Sequence, residues 1–210
     1  MDKQHHWQSV YMTRDAAHTS WFRPHLDESL RQVDALGLPD DAPVIDVGGG
    51  RATLVDDLLA RGFRDVSVLD LSEAALADVR ARLGARADTV HWRIADATTV
   101  ALPPAHYGLW HDRAVFHFLT EAGDRARYVA NAARSVRPRG YAIVSTFAPD
   151  GPERCSGLPV CRYDAAALAA AFAPAFDMTR HGRERHQTPA GAEQPFTYVV
   201  LQRQHDATSA

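Results

Sequence analysis

The stretch Val44-Ile45-Asp46-Val47-Gly48-Gly49-Gly50 constrains this chain more than any other. A short apolar run, β-branched at Val44, Ile45 and Val47, reads as a buried strand, and the glycines after it let the backbone turn sharply and approach a ligand. Downstream, Leu54, Val55, Leu58 and Leu59 recur at helical spacing, with Asp56 and Asp57 on the other face. Strand, glycine loop and helix make the first half of a βαβ unit of the nucleotide-binding kind. The acid just before the loop, Asp46, would repel a pyrophosphate and suits an ammonium or sulfonium group.

The flanking residues decide between users of such a loop. In the dinucleotide fingerprint Gly-x-Gly-x-x-Gly the third glycine would fall at 53, where this chain has Thr53, and no Gly-Lys-Ser/Thr follows as a P-loop requires. The next strand, Val66 to Asp70, ends in an acid about twenty residues after the loop, where a carboxylate can accept both hydroxyl hydrogens of a ribose. Ser72 is a plausible N-cap for a helix running to Leu83-Gly84. A third strand, Val90 to Ile94, is followed by Asp96, placed to accept from an adenine amino group.

On Asp46-x-Gly48-x-Gly50, Asp70 and Asp96, the chain resembles the class I S-adenosylmethionine-dependent methyltransferases, from about Trp7 to Gln202. The resemblance implies a Rossmann-like α/β fold: a doubly wound, seven-stranded, mostly parallel sheet with a C-terminal antiparallel hairpin in a three-layer αβα sandwich. It implies S-adenosylmethionine as cofactor. Asp46, Gly48, Gly49 and Gly50 would hold its methionine end, Asp70 with Leu71 its ribose, and Asp96 with Ala97 its adenine. Tyr107 to Arg113 takes the place of the fourth strand, so His111 falls beside both cofactor and acceptor. Arg134 to Gly140 reads as the turn into strand 5 at Tyr141 to Thr146, and Phe176 to Gln187 and Phe196 to Gln202 read as the closing hairpin around Pro189-Ala190-Gly191.

The organisation expected is a helical cap over 1–36, a methyltransferase core over 37–203 and a disordered tail over 204–210. Class I enzymes often cover the cofactor with such a cap, which puts Trp7 and Tyr11 against it; the alternative is that these aromatics, with Trp21 and Phe22, pack on the sheet. With 210 residues, 46% of them hydrophobic, the chain suffices for one α/β domain. A net charge of -3 argues against a general nucleic-acid binder. No apolar run approaches the roughly 20 residues that span a bilayer, and no signal-peptide core is evident, so the expected location is the cytoplasm. His5, His6, His18, His25 and His91 form no helical i, i+4 ligand pair with a carboxylate, and Cys155 and Cys161 fall short of a metal site, so no metal is expected.

The reaction expected is displacement of a methyl group from a sulfonium by an aligned nucleophile. Alignment alone can supply roughly 7–11 kcal/mol, so no catalytic triad is needed. His111, Asp112, Arg113 and His117 are the acceptor-side candidates, the last expected one helical turn beyond Arg113. Their structural alternatives are a helix cap at Asp112 paired with Arg113, and a satisfied core histidine at 117. The Pro- and Gly-rich loop from Phe147 to Cys161 has the composition of a lid.

His6-Trp7-x-x-x-Tyr11, Trp21-Phe22 and Asp112-Arg113-x-x-Phe116-His117 are also similar to the branch containing elongation-factor lysine methyltransferases. That branch has Asp-Lys-Gly-Thr-x-Asp after strand 4; here Arg113 replaces the lysine and His117 the final acid. The expected partner is therefore a small-molecule acceptor with a nitrogen, sulfur or oxygen nucleophile. A protein lysine is the alternative acceptor, and a non-catalytic cofactor-binding module the alternative of another class.

Overall fold

The computed structural model describes residues 3–13, 15 and 18–205. Two helices, α1 (Lys3–Thr13) and α2 (Asp27–Leu36), lead into β1 (Val44–Val47), α3 (Leu54–Ala60), β2 (Val66–Asp70), α4 (Glu73–Leu83) and β3 (Val90–Ile94). Then come β4 (Tyr107–Arg113), α5 (Ala122–Ser135), β5 (Val136–Phe147), a hairpin of β6 (Arg154–Cys155) and β7 (Leu158–Pro159), α6 (Ala165–Phe172), β8 (Phe176–Gln187) and β9 (Glu193–Arg203). One seven-stranded sheet runs β3-β2-β1-β4-β5-β9-β8, and β6 and β7 form a small sheet of their own. The first five strands are parallel, while β9 and β8 add in antiparallel fashion, as the sequence leads one to expect.

Alternation along each strand explains the two helical layers. Val44, Val66, Val68, Leu109, Ile143 and Val200 pack with Leu30 and Val33 of α2, Leu54 and Leu58 of α3, and Leu76 and Val79 of α4. Their neighbours Ile45, Val47, Leu69, Trp110, Val144 and Val199 pack on the opposite face with Tyr128 and Ala132 of α5 and Leu168 and Phe172 of α6. A period of two along strands buried on both sides gives two cores, one per face. Trp110 and Tyr128 meet edge to face, with the indole donating to the Tyr128 hydroxyl at 2.9 Å.

Several boundaries differ from the sequence expectation. Strand β5 begins at Val136, directly after α5, so most of the stretch 134–140 is strand; the register shifts opposite Tyr107 and Leu109, and Arg139 takes a φ of +63°. Within the segment expected as a cap, α2 is a layer of the sandwich, while α1 and residues 19–23 lie over the strand ends. Strand β9 starts at Glu193, three residues before Phe196. Of the tail expected over 204–210, residues 206–210 lie outside the described residues. No helix among the described residues is long and apolar enough to cross a membrane.

Candidate active site

The strand order reverses direction between β1 and β4, and in open α/β sheets the crevice outside the carboxyl ends at such a point is where ligands bind. Here it opens into a cavity of about 450 Å3. Asp46, Gly48, Gly49, Asp70, Leu71, Asp96, Ala97 and His111 line its sheet side, and Trp7, Tyr11, Trp21 and Phe22 its cap side. Arg113, Phe118, Cys155 and Leu158 also line it, with Phe118 and Cys155 packed beside Trp21. Gly50 lies just behind the wall, with the Tyr11 hydroxyl 2.3 Å from where its Cβ would be.

The glycine loop is shaped by three elements at once. Gly48 and Gly50 have φ of +68° and +48°, a region that favours glycine, and the N–H groups of Gly48 and Gly49 both donate to Leu69 O at the end of β2. A Cβ at Gly48 would lie 1.9 Å from Val115 Cγ2, and one at Gly49 2.6 Å from Val68 Cγ1. At 53, where the dinucleotide fingerprint has glycine, the Thr53 hydroxyl donates to Pro24 O at 2.8 Å and ties the approach to α2 to this loop.

Asp46 and His111 are register partners on β1 and β4. Their side chains meet at 2.7 Å through His111 Nδ1, while Nε2 sits 2.8 Å from Ser29 Oγ on α2. Asp70 accepts from the Ser72 N–H at 2.8 Å; burial pushes its carboxyl up to about 6, against the pull of backbone N–H groups from Ser72, Gly50 and Leu71. Burial, then the Asp70 charge, raises the Tyr11 phenol. Asp96 Oδ1 accepts from both the N–H and the hydroxyl of Thr98 at 2.7 Å.

Asp112 and His117 do not line the cavity. Asp112 faces the α5 layer, accepting from Val115 N at 2.8 Å, Phe116 N at 3.0 Å and the Tyr128 hydroxyl, and burial pushes it up to about 6. The expected pairing with Arg113 does not form, because successive strand residues point to opposite faces. Nor does His117 sit one helical turn beyond Arg113. Ala114 turns the chain with a φ of +73°, and a single 3-10 turn, Phe116–Phe118, follows. His117 is buried against Phe118 and Phe147, its Nδ1 accepts from Phe147 N at 3.3 Å, and burial lowers its pKa to about 3, so it is neutral.

Arg113 does reach the cavity. Its guanidinium lies over the Phe196 ring, 4.4 Å from the centroid, with Nε 3.5 Å from Glu184 Oε2. The loop from 147 to 161 folds back as the β6–β7 hairpin, with Ser156 and Gly157 both at positive φ in its turn, and Cys155 packs with Phe147, Phe196, Trp21 and Phe118. Among the described residues no cluster of His, Cys, Asp and Glu could hold a metal ion.

Helix α1 is held over the strand ends by polar latches. Gln8 Oε1 accepts from Ser72 Oγ and Ala74 N, Arg51 Nη2 donates to Tyr11 O at 2.6 Å, and Lys3 Nζ reaches Asp124 Oδ2 at 2.6 Å. Ser29, Arg51, Gln8 and Glu184 were not picked out from the sequence. Only Ser72, already recognised as an N-cap, gave a hint of where α1 docks.

Fold and crevice together define the Rossmann-like architecture of the class I S-adenosylmethionine-dependent methyltransferases. Residues 44–140 match the family model described as a methyltransferase domain. The curated ubiquinone biosynthesis O-methyltransferase of Thiobacillus denitrificans is 33% identical over 118 residues, 56% of this chain and 50% of that protein. The match thus spans about half the length of that relative. Among solved structures, one concerning conversion of a disulfide bond into a thioacetal group during echinomycin biosynthesis superposes with a TM-score of 0.76 at 18% identity, covering 98% of this chain and 94% of that one. The 1,6-didemethyltoxoflavin-N1-methyltransferase of Burkholderia thailandensis, with 1,6-didemethyltoxoflavin and S-adenosylhomocysteine bound, gives 0.69 at 21% identity, covering 96% and 84%. At such identities the likeness to solved structures is one of fold. S-adenosylmethionine is the cofactor of this class. The lysine-methyltransferase branch has no support among these relatives.

Proposed function

We propose that the protein is an S-adenosylmethionine-dependent methyltransferase acting on a small molecule. The single observation that carries this is one cavity that joins the glycine loop and its acids to an aromatic-lined end bearing Arg113. The residues present fit the cofactor. Asp70 is a buried carboxylate facing the cavity beside a loop without side chains, suited to two ribose hydroxyls, and Asp96 stands at the adenine end. Asp46, oriented by His111, faces the methionine end with Gly48 and Gly49, and Trp7 and Tyr11 cover it from α1. Leu71 and Ala97 are the apolar flanks.

When bound, S-adenosylmethionine supplies a methyl carbon made electrophilic by its sulfonium. The protein's part is to align the acceptor and exclude water, a task suited to a largely apolar chamber. His111 lines the cavity with both ring nitrogens engaged, Nδ1 on Asp46 and Nε2 on Ser29, which makes it a positioning partner of Asp46. Asp112 and His117 serve the turn after β4. The loop over 147–161 is read as a wall that can open.

Calorimetric titration with S-adenosylmethionine and S-adenosylhomocysteine, followed by transfer of labelled methyl to a panel of small acids, amines, thiols and phenols, tests this reading. Binding of both with turnover of a panel member is expected. Absence of binding overturns it; binding without transfer to any small molecule or lysine peptide would favour a non-catalytic module.

A further inference from the structure

Two guanidiniums that line the cavity, Arg23 and Arg113, share one carboxylate behind its wall, Glu184. Glu184 Oε1 accepts from Arg23 Nη1 at 2.7 Å, which leaves Oε2 for Arg113 at a longer 3.5 Å. Arg113 is 6% exposed and Glu184 8%, and Arg113 Nε and Nη2 have no hydrogen-bond partner. Arg23 also touches Asp27 at 3.3 Å, but that carboxylate is 64% exposed and solvated. Of the other titratable neighbours, His186 donates through Nε2 to Ser20 O and is held neutral by burial, while Cys155 is buried among Phe147, Phe196 and Phe118 and acts on Arg113 less than Glu184 does. A buried guanidinium with unused N–H groups is costly to keep, and the group it fits best is a carboxylate, which it binds through two parallel bonds.

Aromatic rings surround this charge. Trp7 meets Phe118 and Trp21 edge to face at centroid distances of 5.1 and 6.0 Å, and Tyr11 meets Trp21 at 6.1 Å. Rings so arranged can receive either a flat apolar body or a cation. The surplus guanidinium decides between these, because it repels a cation at the same end. Resting on the proposed cofactor site, we infer that the methyl acceptor is a flat, apolar small molecule carrying a carboxylate, with that carboxylate on Arg113 and the body among Trp7, Trp21 and Phe118. Glu184 sets the strength of this preference by sharing its charge between the two guanidiniums.

The test uses full-length protein saturated with S-adenosylhomocysteine, whose own affinity is measured first so that failure of the cofactor reading shows separately. The probes are 2-naphthoate, 2-naphthamide and 2-naphthylmethylamine, read by titration calorimetry or ligand-observed NMR. The acid should bind at least about tenfold tighter than the amide, the size of one charge-assisted hydrogen bond, and the amine weakest. Arg113→Gln should erase the acid's advantage, Arg113→Lys should keep part of it, and Glu184→Gln should increase it. The last result has a sign that a merely structural role would not produce. Equal binding of the three probes, preference for the amine, or no detectable naphthoate binding would overturn the inference. So would an Arg113→Gln variant that weakens S-adenosylhomocysteine but not 5′-methylthioadenosine, since the guanidinium would then belong to the cofactor's carboxylate.

Discussion

The two walls of the cavity are built on different physics. The sheet wall is made of strand ends whose backbone is hydrogen-bonded on both sides and whose side chains are rooted in the two cores. The cap wall is helix α1, from which only Val10 and Tyr11 are fully buried, fastened by Lys3, Gln8 and the reach of Arg51. Packing of the first kind is felt by global stability, whereas a few polar latches over a cavity set how often a wall opens. On the proposed reading, the sheet wall is the template for the cofactor and the cap wall its cover. A pair of carboxylates shows that burial alone does not distinguish a site. Asp70 and Asp112 are both pushed up to about 6 by burial, yet one faces the cavity and the other caps a turn inside the fold.

The contrast can be attacked most forcefully at Gly48. Gly48→Ala should cost about 2–4 kcal/mol in chemical denaturation, from left-handed backbone strain and overlap with Val115. Adding Val115→Ala should restore part of that loss; a glycine variant as stable as the parent would mean that the sheet wall is soft. Asp70→Ala should weaken S-adenosylhomocysteine about a hundredfold while leaving the melting transition in place, as loss of charge-assisted bonds to two hydroxyls predicts. Affinity of the parent should also fall as pH drops through about 6, where the Asp70 carboxyl takes its proton, and Asp70→Asn should lack that dependence.

His117 gives a pH signature confined to stability. Its folded pKa of about 3 lies below the ordinary 6.5, so its contribution is present above 6.5 and drains away as pH falls toward 3. Denaturation at a series of pH values should show a slope near 1.4 kcal/mol per unit from this group in that window. His117→Asn, which keeps an acceptor for the Phe147 N–H, should remove it. The smallest effect belongs to the cap. Lys3→Met should change stability by less than about 1 kcal/mol, because the pair it breaks is partly exposed. Release of S-adenosylhomocysteine in stopped flow should nonetheless quicken severalfold. A stability loss rivalling that of Gly48→Ala would erase the distinction between the walls.

The same division governs what could be read in the sequence. Strand, glycine loop and acid spacing are local and periodic, so Asp46, Asp70 and Asp96 could be assigned to one edge of the sheet before any coordinates. The reach of Arg113 could be anticipated, but not its partner: Glu184 lies in a strand dense with charge, Phe176 to Gln187, where no pattern marks which acid is buried. Asp112 and His117 were grouped with the site because they are adjacent in sequence. Strand alternation sends Asp112 to the other face, and the positive φ at Ala114 breaks the helical spacing assumed for His117. Left-handed backbone at an alanine leaves no trace in the sequence.

Strand β5 ends at Phe147, opposite Phe196, while β9 and β8 run on past that point to Glu193 and Gln187. This overhang starts at Glu184, the pair partner of Phe196, and His186 within it is clasped by the Ser20 carbonyl. Glu184, which in the inferred acceptor site grades the pull of Arg113 from behind, thus sits at the root of an appendage whose pairing continues without the parallel strands. Length and sequence there can drift while the strands that carry Asp46, Asp70 and Arg113 keep their register. In the proposed reading, one scaffold can thereby retune a guanidinium rooted in the parallel sheet by rewriting a single ribbon.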